Sequence, residues 1–437
     1  MAELGSLNGI ATDSLAGFSK LDEQGRLERF VELGVLSYDD ITILNGGLPA
    51  EVAEGMVENR VGVFGVPLSL AVGVPVDERV YPAVPMANEE TSVVATVSNI
   101  SGAIRKKGGH MATEVLGRGS IGQIQFDFIE NPQAFEAAVL ESKDALIADV
   151  NANIIQNMVA RGGGVTDLEV RHIPIPDGTN MAVVHVIIDT CDAMGANIVN
   201  QICEYLRGPL EALTGERVNL RILSNLATER LVSASIELPN VDPDQGLKIE
   251  RASLFAEYDP WRAATHNKGI MNGVTAVGLA TGQDTRAIEA GAHTYAARSG
   301  QSRGLSVWRM EGTTLVGKMT IPMAVGTVGG IVRIHPQVQL AHRILDNPSA
   351  DQLARITAAT GLIQNLGALK ALTSDGGITE GHMKLHVPNI VLSCGAEPHE
   401  REPLAEYLRE TLSRTGRVSP TDAQVGLQLL RAQEQGT

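Results

Sequence analysis

Between Pro260 and Gly273 the chain crowds Arg262, Thr265, His266, Asn267, Lys268 and Asn272 into one short segment, PWRAATHNKGIMNG. Arginine can grip a carboxylate through two parallel hydrogen bonds. Lysine offers a compact charge on a flexible stem, suited to an oxygen that turns negative during reaction. The segment reads as a polar, anion-holding loop, with Gly269 and Gly273 letting the backbone come close, ahead of the buried apolar run VTAVGLA. Three further places carry chemistry. Glu89 and Glu90 stand just before an apolar helix expected to begin near Ser92, where acids commonly serve as helix-dipole partners. Asp284 sits where an N-cap would, before a helix of small residues. His382 and His386 are four apart, so on a helix they would share a face and could hold zinc as in a hydrolase. HMKLH, however, lacks the glutamate of HExxH and an obvious third ligand.

The elements that must position these groups come from a chain of 437 residues, 43% hydrophobic, enough for two or three domains and a sizeable core. A net charge of -16 and only 3% aromatic residues exclude nucleic acid, since neither electrostatics nor stacking favours it. The same charge argues against anionic membrane surfaces. No basic-then-apolar leader opens the chain, and its most apolar stretches are broken by proline and glycine, so a soluble protein is expected. Cys191, Cys203 and Cys394 are too scattered for a disulfide framework or a structural zinc site, which suits a reducing cytoplasm.

Residues 1 to about 60 read mainly as helix. From roughly 111 to 222 the pattern becomes strand, helix, strand, strand, helix, strand: SIGQIQFDFI, the run from Asn131 to Ala160, VTDLEVRHIP, NMAVVHVIID, about Gly195 to Leu213, and RVNLRILSN. That order is the split βαβ, or ferredoxin-like, plan, expected here as a compact insertion. At its entrance the run Gly117 to Gly122 matches GxGxxG but precedes a strand instead of opening a helix, which disqualifies it as a dinucleotide fingerprint. The better phosphate candidate is TCDAMGANIVNQ, with Asp192 expected to cap the second helix and Gly195 permitting close approach at its N-terminus. Further on, the glycines of PMAVGTVGG imply tight packing or backbone approach to a ligand. SDGGITEG before a single polar helix suggests a mobile C-terminal flap.

In chain order, ENRVG (58–62), EETS (89–92), DAMGAN (192–197), RAATHNKGIMNG (262–273), TGQD (281–284) and GHMKLH (381–386) together resemble the soluble bacterial class of hydroxymethylglutaryl-coenzyme A reductases. The resemblance implies a mixed α+β fold: a large α/β substrate domain (1–110 and 223–375), an inserted ferredoxin-like nicotinamide-nucleotide domain (111–222) and a helical flap (376–437). It implies reduction of a thioester to a primary alcohol with two hydrides, giving mevalonate and coenzyme A. Lys268 would steady the oxyanion, His382 protonate the departing thiolate, Glu90 donate the alcohol proton, and Asp284 set the protonation of Glu90 and Lys268 as one coupled cluster. Ser92, Arg262 and Asn272 would contact the hydroxymethylglutaryl portion, with Thr265 and Asn225 in support. Glu58 and Asn59 fall in the coenzyme A region, and Asp192, Ala193, Met194, Gly195, Ala196 and Asn197 in the nucleotide region.

Three departures stand out: Thr91 in place of proline, Arg60 in place of an apolar residue, and Gln283 in place of asparagine. NADH-preferring relatives carry an acid on the first helix of the small domain, at a position that falls near Ile155 here, where there is none. This favours NADPH over NADH, with Asp149 the acid that a shifted helix would bring into range. The resemblance also implies a cytoplasmic homodimer or an assembly of dimers and no metal. The rival readings are the zinc hydrolase built on His382 and His386, and a non-catalytic small-molecule sensor.

Overall fold

The computed structural model describes residues 17–374 and 386–435, with short pieces before them (6–7, 10–11 and 15). Its centre corrects the expected loop: Pro260–Ala280 is a continuous helix. The Asp259 carboxylate caps it, accepting from the Arg262 N–H at 2.6 Å, and Pro260 fills the first-turn position where its missing N–H costs nothing. Trp261, Thr265 and Lys268 lie exposed along one face, with Asn272 following at the next turn, while Ala263, His266, Asn267, Ile270, Met271 and Val274 are buried on the other.

The buried face crosses the helix Ala350–Leu372, and glycine sets the distance. A Cβ at Gly273 would meet the Thr360 carbonyl oxygen at 2.8 Å, and one at Gly361 would meet Val274 at 2.7 Å. A polar network fixes the rotation of the helix. His266 Nε2 lies 2.7 Å from Ser306 Oγ, Ser306 and Trp308 both donate to Asn365 Oδ1 (2.8 and 2.7 Å), and Asn267 binds the backbone at Arg303 and Leu305.

Ser306 and Trp308 belong to a four-stranded antiparallel sheet in the order Ser306–Glu311, Thr314–Pro322, Leu231–Leu238, His110–Val115. With the hairpin Leu68–Val76 and Arg79–Ala87 and the helix Val93–Lys106, it encloses the largest apolar core. A second four-stranded antiparallel sheet runs in the order Gly164–Pro174, Asn180–Asp189, Gly119–Phe126, Val218–Ser224. Its helices include Pro132–Glu141, Lys143–Asn153 and Ala196–Thr214, and it has its own core. The strand His110–Val115, astride the expected boundary at 111, pairs into the large sheet, so the small sheet itself starts at Gly119.

The long helix expected between the first two small-sheet strands is broken into three, with Ile155 buried at the second break. At the C-terminus the expected single polar helix is at least two, Arg401–Thr415 and Pro420–Gln435, which share a separate apolar cluster with Val387 and Val391. Arg431 clasps the buried Glu400 carboxylate with bonds of 2.6 and 2.9 Å and, with the Glu397 N–H, holds its pKa down to about 2. Among the described residues no helix is long and apolar enough to cross a membrane. The fold is thus mixed α and β, built of helices on antiparallel sheets.

Burial, with the Arg262 charge adding to it, pushes the His266 pKa down to about 3 from 6.5, so the native protein keeps the ring neutral where the unfolded chain would protonate it. The stability it contributes is present above about pH 6.5 and is lost as pH falls toward 3, at up to about 1.4 kcal/mol per pH unit for one proton. The thermal midpoint of the wild type should therefore fall more steeply between about pH 6 and pH 4 than that of His266→Gln. Parallel curves in a pH series of melts would remove His266 as a source of acid sensitivity.

Candidate functional site

The exposed face of the Pro260–Ala280 helix meets the turn that follows the strand Arg79–Ala87. There Lys268 Nζ donates to Glu90 Oε2, and Asn272 Nδ2 lies 3.4 Å from the same oxygen. Asn88 holds the turn by donating to the Glu90 carbonyl at 2.6 Å. Ser92, at the start of the helix Val93–Lys106, adopts φ 78°, a left-handed conformation uncommon for serine. Thr91, beside it, has a buried hydroxyl without a hydrogen-bond partner in the structure. The pair remains wet: the side chains of Lys268 and Glu90 are 57% and 39% exposed. A lysine and a carboxylate in contact in an open cleft can steady an oxyanion on one side and exchange a proton on the other.

Arg262 lies six residues, nearly two turns, before Lys268, about a third of a turn around the helix from it, and is half-buried. Its guanidinium has no hydrogen-bond partner among the described residues, and burial lowers its pKa while leaving it a cation. A partly desolvated guanidinium without a partner is a ready carboxylate clamp. Thr265 lies exposed between it and Lys268 on the same helix.

Asp284 is the N-cap of Thr285–Ala296, as expected, accepting from the Ala287 N–H at 3.1 Å; its other partner is Arg286 at 3.4 Å. The structure shows no bond from it to Lys268 or Glu90, so of the expected cluster only those two residues are brought together. Glu58 and Asn59 sit in an exposed arm, and Arg60 bonds Glu54 at 3.1 Å. His382 lies outside the described residues; His386 is within them, in the helical stretch 386–393.

The segment 192–197 forms a second region of the site. Asp192 does not cap the helix that follows it. Its carboxylate instead accepts from the Ala350 N–H at 2.8 Å, at the start of the helix Ala350–Leu372. Gly195 takes the N-cap place of Ala196–Thr214 with φ 96° and no side-chain cap, leaving the helix N-terminus free of side-chain competition for an anion. A Cβ there would meet Thr190 Cγ2 at 2.4 Å, so glycine is required on two counts. Ala193, Met194 and Ala196 are half-buried, while Asn197 is exposed; Asn225 is exposed in the turn leaving the small sheet.

Sequence reasoning missed what supports this loop. Of the glycines of PMAVGTVGG only Gly326 marks close packing: a Cβ there would meet the Met194 nitrogen at 2.2 Å, whereas one at Gly329 or Gly330 would meet open space, and the Thr327 N–H bonds the Asp192 carbonyl at 2.8 Å. Gln283 binds Gly326 through both its carbonyl and its N–H, at 2.9 and 2.8 Å, so the residue before Asp284 is tied to the segment after the strand Thr314–Pro322, which touches the 192–197 loop. Beneath the loop lies the buried Arg230, which nothing in its local sequence distinguishes.

With this geometry in hand, comparison with known proteins is specific. Residues 27–387 match the family model for hydroxymethylglutaryl-coenzyme A reductase. The 3-hydroxy-3-methylglutaryl-coenzyme A reductase of Archaeoglobus fulgidus is 40% identical over 435 residues, 98% of this chain and 97% of that protein. A solved reductase structure from Streptococcus pneumoniae aligns with a TM-score of 0.80 at 40% identity, over 95% of this chain and 99% of that one. The class II enzyme from the same organism, solved bound to NADPH in open conformations, aligns at 0.79 and 41% identity, over 82% of this chain and all 100% of its own. By the extent of both the family match and the identity, this chain belongs to the hydroxymethylglutaryl-coenzyme A reductase family.

Proposed function

We propose that the chain reduces hydroxymethylglutaryl-coenzyme A to mevalonate and coenzyme A with two equivalents of reduced nicotinamide nucleotide. The observation that carries this is the Lys268–Glu90 contact, with Asn272 on the same oxygen and, nearly two turns back along the helix, an Arg262 guanidinium with no hydrogen-bond partner among the described residues. It places an oxyanion donor, a proton source and a carboxylate clamp along one helix and its neighbouring turn.

In this reading Arg262 pairs the free carboxylate of the substrate, with Ser92, Asn272 and Thr265 fixing its other oxygens. Lys268 donates to the thioester oxygen as it becomes negative. His382 protonates the departing thiolate when the hemithioacetal collapses to the aldehyde and free thiol. Lys268 again steadies the oxygen of the aldehyde, and Glu90 gives it the final proton. Asp284 sets the protonation of the pair, which requires its carboxylate to leave Arg286. Glu58 and Asn59 contact coenzyme A.

The uncapped helix start at Gly195 and the tightly packed loop before it suit a dinucleotide pyrophosphate. A reduced nicotinamide bound by residues 192–197, with Asn225 nearby, supplies hydride. NADPH is the better fit. Ile155 is buried at a helix break, and both Asp149 oxygens are already engaged, by Tyr205 at 2.8 Å and Asn153 at 2.7 Å, which leaves this acid poorly placed to claim a ribose hydroxyl.

The chain divides into a substrate domain, an inserted nucleotide domain and a C-terminal flap carrying His382. It works in the cytoplasm as a homodimer or an assembly of dimers. The exposed arm at 57–66, where Val61 is 103% and Phe64 93% exposed, supports a second copy as the cover for those side chains.

Absorbance of the reduced nicotinamide, followed with hydroxymethylglutaryl-coenzyme A and matched NADPH or NADH, should show turnover that is faster with NADPH. No oxidation of either by folded protein would sink the activity. Lys268→Ala should lower kcat for both the thioester and free mevaldehyde by on the order of a hundred- to a thousand-fold while coenzyme A binding persists; retained activity would remove the oxyanion role. His382→Ala should impair thioester reduction more than mevaldehyde reduction, and equal losses would count against thiolate protonation.

A further inference from the structure

Arg230 is 6% exposed, and its guanidinium bonds no carboxylate among the described residues. Nη1 shares its protons among Ser120 Oγ, Thr190 Oγ1 and the Ala193 carbonyl, each at 3.3 Å, and the Met194 carbonyl at 3.1 Å. Nη2 donates to the Val325 carbonyl at 2.7 Å. Asp189, Asp192 and Asp351 are near enough to favour the charge through space. A buried cation satisfied by neutral oxygens is costly to desolvate and demands a reason.

The loop geometry supplies one. In a trans peptide the C=O and N–H point in opposite directions, so drawing the Met194 carbonyl inward turns the Gly195 N–H outward. No hydrogen bond among the described residues uses that N–H, and it adjoins the uncapped start of Ala196–Thr214. Thr190 reinforces the same curl by donating to the Ala193 carbonyl at 2.7 Å. We propose that Arg230 is a positioning residue for the nicotinamide nucleotide: it aims the Gly195 N–H and the helix N-terminus at the pyrophosphate, and sets a fixed positive charge behind them. Through Val325 it also ties the loop to the segment that follows the strand Thr314–Pro322, whose next residue, Gly326, is clasped by Gln283.

This inference rests on reading 192–197 as the nucleotide loop, and the experiment separates the two. Dissociation constants for NADPH, by its fluorescence, and for hydroxymethylglutaryl-coenzyme A, by calorimetry, are measured for wild type, Arg230→Lys, Thr190→Val and Gly195→Val. Arg230→Lys keeps the charge but loses the fork, and should weaken NADPH about tenfold or more while thioester affinity stays within about twofold. Thr190→Val, which keeps the shape, should weaken NADPH several-fold in the same selective way, and it decides the matter if Arg230→Lys does not fold. Unchanged NADPH affinity in both, or equal losses for both ligands as a purely structural residue would give, overturns the role of Arg230. If the wild type does not bind NADPH, or Gly195→Val binds it normally, the assignment of the loop itself fails.

Discussion

The close crossing of the helices Pro260–Ala280 and Ala350–Leu372 is the constraint on which the rest of the molecule depends. Dispersion and burial hold the two helices together where Gly273 and Gly361 remove the side chains that would separate them. Apolar packing alone leaves a helix free to roll by part of a turn, and here directional bonds prevent it: His266 and Asn267 are locked to Ser306, Arg303 and Leu305. Because His266 and Asn267 immediately precede Lys268, fixing the back of the helix fixes the direction in which the front presents its charge.

The loop 192–197 is held by a different logic. Between the large and small sheets the joint is a set of peptide groups clasped by side chains, with Arg230 under the loop and Gln283 on Gly326. Asp192 extends the joint by capping the same long helix that carries Asn365. The helix Ala350–Leu372 therefore touches both halves of the site, one through packing and polar bonds and the other through its N-terminus.

Much of this was legible in the residues. The alternation of strand and helix gave the order of the small sheet, and the chemistry-bearing segments pointed to the family now shown by the comparisons. The segment 260–273 was misread because its glycines and polar side chains imitate a loop, although Asp259 followed by Pro260 is a helix-start signal. Asp192 was assigned to the nearest helix in sequence when its partner lies far along the chain at Ala350, a contact no local pattern encodes. Arg230, and the part Gln283 plays in clasping Gly326, are illegible for the same reason: their partners, many of them backbone atoms, lie far along the chain and leave no local residue-type signature.

The chain contains only two tryptophans, and the fold places them on opposite sides of one helix. Trp308 is fully buried, its indole N–H bound to Asn365 beneath the His266 side, while Trp261 is 80% exposed on the face that carries Lys268. The intrinsic emission of the protein is thus a two-channel signal: a dry, blue-shifted component that follows the anchoring of the helix, and a wet, quencher-accessible one that follows the exposed face of Lys268.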